Sequence, residues 1–297
     1  MILEQALYRA REILDASDIE DACLEAKLFL RHTLKISQVQ LYLDFNRELS
    51  PEDEESFQQL VSRRLKGEPS AYITGHREFY CLDIYVNSKV LIPRPESELL
   101  VDKAIEITQK AKISTVAEIG TGSGAIAISL ALNLSATKIY ATDISLSALN
   151  VASFNCQKHG VEDKICLLPG DILDPLPEPV DLIIANLPYV KESELAKSNA
   201  PDFEPALALN GGNDGLAKIY QLCRQVNSKL NSPGYLLLEI GQGQANQVAG
   251  FLYRLFPSAG IEIIPDLGGI DRLLSICLIP NARDIKLGGR VLTKPGI

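Results

Sequence analysis

The sequence predicts an α/β protein in which a doubly wound, mostly parallel sheet follows a helical bundle. Apolar residues repeat at helical spacing over residues 1–72. From about residue 115, short runs rich in β-branched residues alternate with helical runs, the order that is typical of βαβ units. The length of 297 residues allows two domains, or one large α/β domain with an appendage, and is enough to bury a substantial core without metal or disulfides.

The composition excludes several classes of protein. Hydrophobic residues make up 46% and charged residues 23%, which rules out a disordered or collagen-like chain. The net charge of -9 disfavours a dedicated nucleic-acid binder, and we expect no stable nucleic-acid binding. No apolar run approaches the roughly 18 residues of a membrane span, and the N-terminus lacks a signal-peptide core. We therefore expect no membrane association.

The cysteines and histidines predict a reduced, metal-free protein. The six cysteines form no Cys-x-x-Cys pair, which is typical of core thiols in a cytoplasmic protein. His32, His76 and His159 lack the spacing of metal ligands, so no metal site is predicted. The sequence does not determine the oligomeric state, for which a monomer is our expectation.

Residues 1–72 are predicted to form a helical domain. Helical spacing is followed by Leu3, Ala6, Leu7, Ala10, Ile13 and Leu14, and again by Ala22, Ala26, Phe29, Leu30 and Thr33. Ser50 and Pro51, followed by acidic residues, have the pattern of a capped helix start.

Residues 73–92 are predicted to form a β-hairpin linker. The run 79–86 is rich in β-formers, and Asn87 with Ser88 is the predicted turn before a returning strand at 90–92.

Residues 93–280 are predicted to form the sheet domain. After a helix over 97–110, strands are predicted at 115–119, 138–142, 164–168, 180–185, 234–240, 260–264 and 272–278, with helices at 124–134, 145–158, 213–230 and 242–256. The link before the last strand is too short for a helical crossover, so that strand must be antiparallel. This is the architecture of class I S-adenosylmethionine-dependent methyltransferases, which are Rossmann-like. Residues 281–297 are predicted to be a flexible basic tail.

A glycine loop joins the first strand of this sheet to its helix. Its residues are Gly120, Thr121, Gly122, Ser123 and Gly124. Glycines let a ligand approach the backbone, and the helix start offers free N–H groups. The spacing is not the GxGxxG of dinucleotide folds, and it suits an adenosyl and amino-acid ligand that has no pyrophosphate. Glu118, just before the loop, is a candidate either for shaping it or for holding the ligand's ammonium group.

Two acidic residues follow the next two strands. Asp143 lies about 20 residues beyond the loop, where a carboxylate can accept hydrogen bonds from both ribose hydroxyls. It also competes with Ser145 to cap the helix that follows. Asp171 is predicted beside the cleft as an acceptor for the adenine amino group, with Ile172 packing on the ring, although a plain turn residue fits Asp171 equally well.

The most informative motif is Asn186-Leu187-Pro188-Tyr189, which follows a buried strand. It resembles the (Asn/Asp)-Pro-Pro-(Tyr/Phe) motif of methyltransferases that act on planar NH₂ groups, with Leu187 in place of the first proline. The Asn186 oxygen and the Leu187 carbonyl offer two acceptors for the two N–H protons, which orients the nitrogen and stabilises its developing positive charge. The Tyr189 ring offers a face for stacking.

The chain resembles the release factor glutamine methyltransferase family over its length to about residue 280. The matching segments are RRLKGEPSAYITGHREF, VLIPRPESELLV, AEIGTGSGAIAISLA, ATDISLSAL, GDIL, NLPY, DFEPALALNGGNDGL, GYLLLEIGQGQ and DLGGIDR. The resemblance implies transfer of a methyl group from S-adenosylmethionine to the glutamine of the Gly-Gly-Gln motif in class 1 peptide chain release factors, with S-adenosylhomocysteine as the product. It implies that Gly120 to Gly124, Asp143, Asp171, Ile172 and Asn186 bind the cofactor, and that Asn186 to Tyr189 bind the glutamine. The chain departs from the family pattern at Leu187 and at Ser97, where threonine is commoner.

Three alternatives stay open on the sequence alone. A glutamine methyltransferase for a ribosomal protein would have the same catalytic domain and differ in substrate. A DNA adenine amino-methyltransferase would need a target-recognition domain and a basic cleft, which the net charge disfavours. A non-catalytic binding module would have no need to keep Asn186 and Tyr189. Residues 1–72 hold none of the motifs, and we predict that they recognise the protein substrate.

Overall fold

The computed structural model describes residues 1–135, 137–196, 203–278 and 290–291. The chain divides into two compact units, and the boundary falls between His76 and Arg77. No helix in the described ranges is long and apolar enough to cross a membrane.

The first unit is helical. Its helices are α1 (Leu3–Asp15), α2 (Ala22–Leu34), α3 (Gln38–Leu43), α4 (Pro51–Leu65) and α5 (Ser70–Thr74). The Ser50 side chain caps α4 with Pro51 in its first turn, as the sequence predicts. The predicted apolar stripes form its core, since Leu3, Leu14 and Phe29 are fully buried. The short α3 and α5 are not predicted, because six and five residues give too few apolar repeats to show a period.

A hairpin follows, and its turn is not where the sequence predicts it. Its strands are β1 (His76–Phe79) and β2 (Leu82–Tyr85). The turn falls at Tyr80 and Cys81, which both have positive φ, the conformation that matches the twist of a two-residue hairpin. The predicted turn at Asn87-Ser88 and the returning strand at 90–92 are therefore wrong. The prediction missed the turn because Tyr80 and Cys81 are not typical positive-φ residues.

The second unit contains the large sheet. Its strands are β3 (Thr115–Ile119), β4 (Lys138–Asp143), β5 (Ile165–Pro169), β6 (Val180–Ala185), β7 (Leu230–Glu239), β8 (Gly260–Pro265), β9 (Asp271–Leu278) and β10 (Arg290–Val291), in the order β10-β8-β9-β7-β6-β3-β4-β5. Within the described strands, β9 and the short β10 run opposite to the other six. The predicted antiparallel last strand of the domain is confirmed in β9, and β10 adds two residues of the predicted tail to the sheet edge. The rest of that tail lies outside the described residues.

Helices connect and cover these strands. They are α6 (Glu98–Lys110), α7 (Ala125–Asn133), α8 (Leu146–Lys158), α9 (Glu192–Leu195), α10 (Ala206–Leu209), α11 (Ala217–Lys229) and α12 (Ala245–Leu255), with a 3₁₀ turn (Pro95–Ser97) before α6. α11 begins four residues and α12 three residues later than predicted, because glycine turns occupy the preceding residues. The parallel strands β3 to β6 all end at one edge, where the loops that follow them form a cleft.

Candidate active site

The cleft at this edge of the sheet brings together ten of the twelve site residues that the sequence predicts. It encloses about 1090 Å³, part of it open to solvent. The predicted residues that line it are Gly120, Thr121, Gly122, Ser123, Asp143, Asp171, Ile172, Asn186, Leu187 and Pro188. Gly124 and Tyr189 are outside this lining. Gly124 is the N-cap of α7, and a Cβ there would lie 3.3 Å from Ala152.

A buried carboxylate, that of Glu118, holds the glycine loop in place. Glu118 is 2% exposed and accepts hydrogen bonds from the Thr121 hydroxyl at 2.6 Å and from the Ala127 backbone N–H at 3.0 Å. Burial raises the pKa of Glu118 to about 8, and both hydrogen bonds oppose that rise. These bonds support the first of the two predicted roles, shaping the loop; Glu118 also lines the cleft, and its role toward a ligand stays a prediction.

Asp143 links the loop to the next helix. Its carboxylate accepts hydrogen bonds from the backbone N–H of Gly122 at 2.9 Å and of Ser145 at 2.8 Å. Burial raises the pKa of Asp143, and these two bonds act against it. The Ser145 side chain caps α8 by accepting from the Ala148 N–H, so the cap is Ser145 and the Asp143 carboxylate lines the cleft.

Asp171 is more constrained than the sequence suggests. Lys218 on α11 donates to one of its oxygens at 3.2 Å, and Gln221 on the same helix donates to the other at 2.6 Å. Ile172 has a positive φ of 51° and is buried, and its carbonyl accepts from the Thr142 hydroxyl at 3.0 Å. Both residues line the cleft in the predicted place, but the Asp171 oxygens already have donors.

Asn186 ends a chain of buried hydrogen bonds. Its Nδ2 donates to Oγ of Ser97 at 2.9 Å, and that hydroxyl donates to Oε2 of Glu239 at 2.6 Å. Tyr189 donates its phenolic hydrogen to the other Glu239 oxygen at 3.4 Å. Ser97 is 3% and Glu239 is 2% exposed. The chain therefore joins the start of α6, the end of β6 and the end of β7.

The backbone of the motif is held equally tightly. A Cβ at Gly211 would lie 2.7 Å from the Pro188 carbonyl oxygen, and one at Gly215 would lie 2.4 Å from that of Tyr189. Gln244 donates to the same Tyr189 carbonyl at 3.1 Å. These residues leave no room for side chains behind the motif, which explains the glycine-rich turn before α11.

Leu187 occupies the position of the missing proline with its side chain in the core. It is 6% exposed, and its Cδ2 lies 3.3 Å from the point where Gly120 would carry a Cβ. The side chain thus packs the motif against the glycine loop. Apolar packing here supplies a constraint that the ring of a proline would supply through φ.

An ion pair between Arg94 and Glu204 lies beside the cleft. Arg94 donates to one oxygen of Glu204 at 2.5 Å, and the other oxygen accepts from the Ile92 backbone N–H at 3.0 Å. Arg94, Pro205 and Leu207 all line the cleft.

Sequence reasoning missed Ser97, Glu239 and Gln244 as parts of the site. Ser97 and Glu239 lie within segments that carry the family resemblance, but they are 89 and 53 residues away from Asn186 along the chain. The only local signal was the buried strand end at Glu239, where a charged residue stops an apolar run.

Comparisons with known proteins agree with this fold. Residues 5–75 match the family model of the PrmC N-terminal domain, and residues 100–190 match that of the ribosomal protein L11 methyltransferase (PrmA). A release factor glutamine methyltransferase of Moorella thermoacetica is 39% identical over 92% of this chain and 97% of its own length. One of Koribacter versatilis is 36% identical over 92% and 98%. A methyltransferase structure from Pyrococcus furiosus, 18% identical, aligns with a TM-score of 0.50 over 68% of this chain and 91% of its own, which supports the fold alone.

The sheet order, the glycine loop and the cleft define a class I methyltransferase, a class that uses a methyl donor of the S-adenosylmethionine type. The relatives match this chain over almost its whole length at well above 30% identity. The chain belongs to the release factor glutamine methyltransferase family.

Proposed function

We propose that this protein transfers the methyl group of S-adenosylmethionine to the side-chain amide nitrogen of a glutamine, the one in the Gly-Gly-Gln motif of peptide chain release factors. Family membership supports the substrate, since the relatives are named for it. The methyl-transfer chemistry rests on the Asn186 amide. Its nitrogen donates a hydrogen bond to Ser97, so its oxygen can accept one from the substrate amide.

The cleft residues fit the proposed cofactor. Gly122 has a φ of 56° and open space where a Cβ would stand, so a ligand can lie directly on its backbone. Asp143 offers the carboxylate for a ribose diol, and Ile172 a buried apolar surface for a flat ring. When bound, S-adenosylmethionine supplies an electrophilic methyl group on a sulfonium centre.

The chain's own residues orient the acceptor. An amide nitrogen is a weak nucleophile because its lone pair is delocalised into the carbonyl. Asn186 Oδ1 and the Leu187 carbonyl accept its two N–H hydrogens and thereby fix its direction. As the nitrogen becomes positive, these two preorganised dipoles stabilise it, and the proton is lost afterwards or as the new bond forms. No general base is required.

The test is methyl transfer from labelled S-adenosylmethionine, followed by peptide mapping. Purified release factor is compared with a variant whose Gly-Gly-Gln glutamine is replaced by alanine, and with ribosomal proteins and duplex DNA as competing acceptors. We expect label only on the intact release factor, at that glutamine. Preferential labelling of a ribosomal protein or of DNA would replace this proposal with the corresponding alternative, and cofactor binding without any transfer would favour a binding module.

We also propose that the helical unit takes part in recognising the release factor. Its support is that none of the cleft residues lies before residue 79. A variant that lacks residues 1–72 should bind the cofactor normally and lose affinity for the release factor. Unchanged transfer to whole release factor by that variant would contradict this role.

A further inference from the structure

The buried hydrogen bonds from Asn186 through Ser97 to Glu239 can run in only one donor-to-acceptor direction while Glu239 is ionised. Ser97 has one hydroxyl hydrogen, and an ionised Glu239 can only accept. The hydroxyl must therefore donate to Glu239, at 2.6 Å, and its oxygen can only accept from Asn186, at 2.9 Å. Asn186 is forced to present Nδ2 to Ser97, which leaves Oδ1 as the amide atom that a substrate meets.

The opposite orientation would be unproductive. With Nδ2 toward the substrate, two NH₂ groups would face each other, so the substrate would lose one acceptor and a buried donor would be left unpaired. An asparagine side chain by itself has little preference between the two orientations, because its oxygen and nitrogen ends have nearly the same shape. Something outside the motif must therefore make the choice.

We infer that Ser97 and Glu239 are positioning residues for the transfer: the Glu239 carboxylate sets the direction of the Ser97 hydroxyl, and that hydroxyl holds the Asn186 oxygen toward the acceptor nitrogen. This inference rests on the proposed function. Both act through Asn186: Ser97 lines the cleft, but its hydroxyl is already engaged by Glu239 and Asn186.

The surroundings of Glu239 make the orientation of Asn186 sensitive to pH. Burial raises the pKa of Glu239 to about 7, while Ser97, Tyr189 and the charge of Arg272 on β9 lower it and Glu96 raises it further. A protonated Glu239 can donate to Ser97, which can then donate to Asn186 Oδ1 and reverse the chain. The productive orientation is thus enforced above the folded pKa and is lost as the pH falls through about 7.

The kinetic test uses three variants and the full-length protein. Ser97→Ala removes the acceptor for Nδ2, and we expect the single-turnover rate with saturating cofactor to fall on the order of tenfold, with unchanged cofactor affinity. Ser97→Thr keeps the hydroxyl and should restore the rate. Glu239→Gln can donate and accept at either end, so the rate should fall by roughly three- to tenfold at pH 8 and the acid limb near pH 7 should disappear.

A spectroscopic test separates this inference from the proposed function. The side-chain ¹⁵N–¹H₂ signal of Asn186, assigned with Asn186→Asp, reports the Nδ2 bond without any release factor. It should titrate with an apparent pKa near that of Glu239, shift in Ser97→Ala, and stop titrating in Glu239→Gln. If this pattern holds while the wild-type protein fails to methylate release factors, the substrate is wrong and the positioning role stands. A wild-type rate in Ser97→Ala at every pH, or an acid limb that persists in Glu239→Gln, overturns the inference.

Discussion

The two sides of the cleft are built by different means. On the cofactor side, the Asp143 carboxylate accepts from the backbone N–H groups of Gly122, 21 residues away, and Ser145, two residues away. On the acceptor side, Asn186 is held by side chains that arrive from β7 and from the turn before α6. One side is therefore held through backbone N–H groups of the neighbouring strand end and helix start, and the other through side chains 89 and 142 residues apart along the chain.

This difference suggests how substitutions on each side will act. We expect a change on the cofactor side to alter how strongly the cofactor binds, because Asp143 and the loop it holds line the part of the cleft proposed for the cofactor. A change on the acceptor side alters the rate of transfer at saturating cofactor, because the acceptor loses its orientation. This expectation is contradicted if a cofactor-side substitution lowers the rate at saturating cofactor, or if an acceptor-side substitution lowers only the affinity for the cofactor.

The largest expected effect is on the acceptor side. Asn186→Ala leaves one proton of the substrate amide without an acceptor in a water-poor site, and we expect the single-turnover rate to fall about 10²- to 10³-fold. Asn186→Asp still presents an acceptor and should keep part of the activity. A wild-type rate for Asn186→Ala with release factor would contradict the proposed mechanism.

The next effect is on the cofactor side. Asp143→Ala removes two charge-assisted hydrogen bonds to a ribose, each worth about 1.5–3 kcal/mol before compensation, and we expect cofactor affinity to fall about 10²-fold. Isothermal titration calorimetry measures this directly, and circular dichroism checks that the variant is folded. Unchanged cofactor affinity in a folded Asp143→Ala protein would show that Asp143 does not bind the ribose.

A matched pair of hydroxyl deletions sharpens the comparison. Thr121 donates to buried Glu118 at 2.6 Å, the same distance at which Ser97 donates to buried Glu239. We expect Thr121→Val to weaken cofactor binding by roughly tenfold with little change in the saturated rate, the reverse of Ser97→Ala. The same kinetic signature in both variants would mean that the two sides are not separate.

The smallest expected effect is that of Tyr189→Phe. Stacking needs the ring and not the hydroxyl, and the hydroxyl lies 3.4 Å from Glu239, which is a weak bond. We expect the rate to fall by less than about fivefold, whereas Tyr189→Ala, which removes the ring, should cost more. The comparison of these two variants in the single-turnover assay separates the ring from its hydroxyl.

The same contrast explains what could be predicted from sequence. The longer strands and helices of the sheet unit, the antiparallel β9 and the grouping of Gly120, Asp143 and Asn186 at one edge follow from periodicity and from the rule that parallel strands end together, whereas the short α9, α10 and β10 are not predicted. The donors that engage Asp171, from Lys218 and Gln221, and the chain from Asn186 to Glu239 depend on three-dimensional packing between distant segments. The hairpin turn was missed because Tyr80 and Cys81 adopt a conformation that their side chains do not favour.

The glycines behind the motif have a consequence for mutational scans of this chain. Gly211 and Gly215 lie against the Pro188 and Tyr189 carbonyls so closely that even one added methyl group must push the backbone of the motif. In a library scored by survival or by product, both positions would rank with Asn186 although neither lines the cleft. Intolerance at a position near this site therefore measures the rigidity of its support as much as contact with the reacting atoms, and only separate measurements of binding and rate distinguish the two.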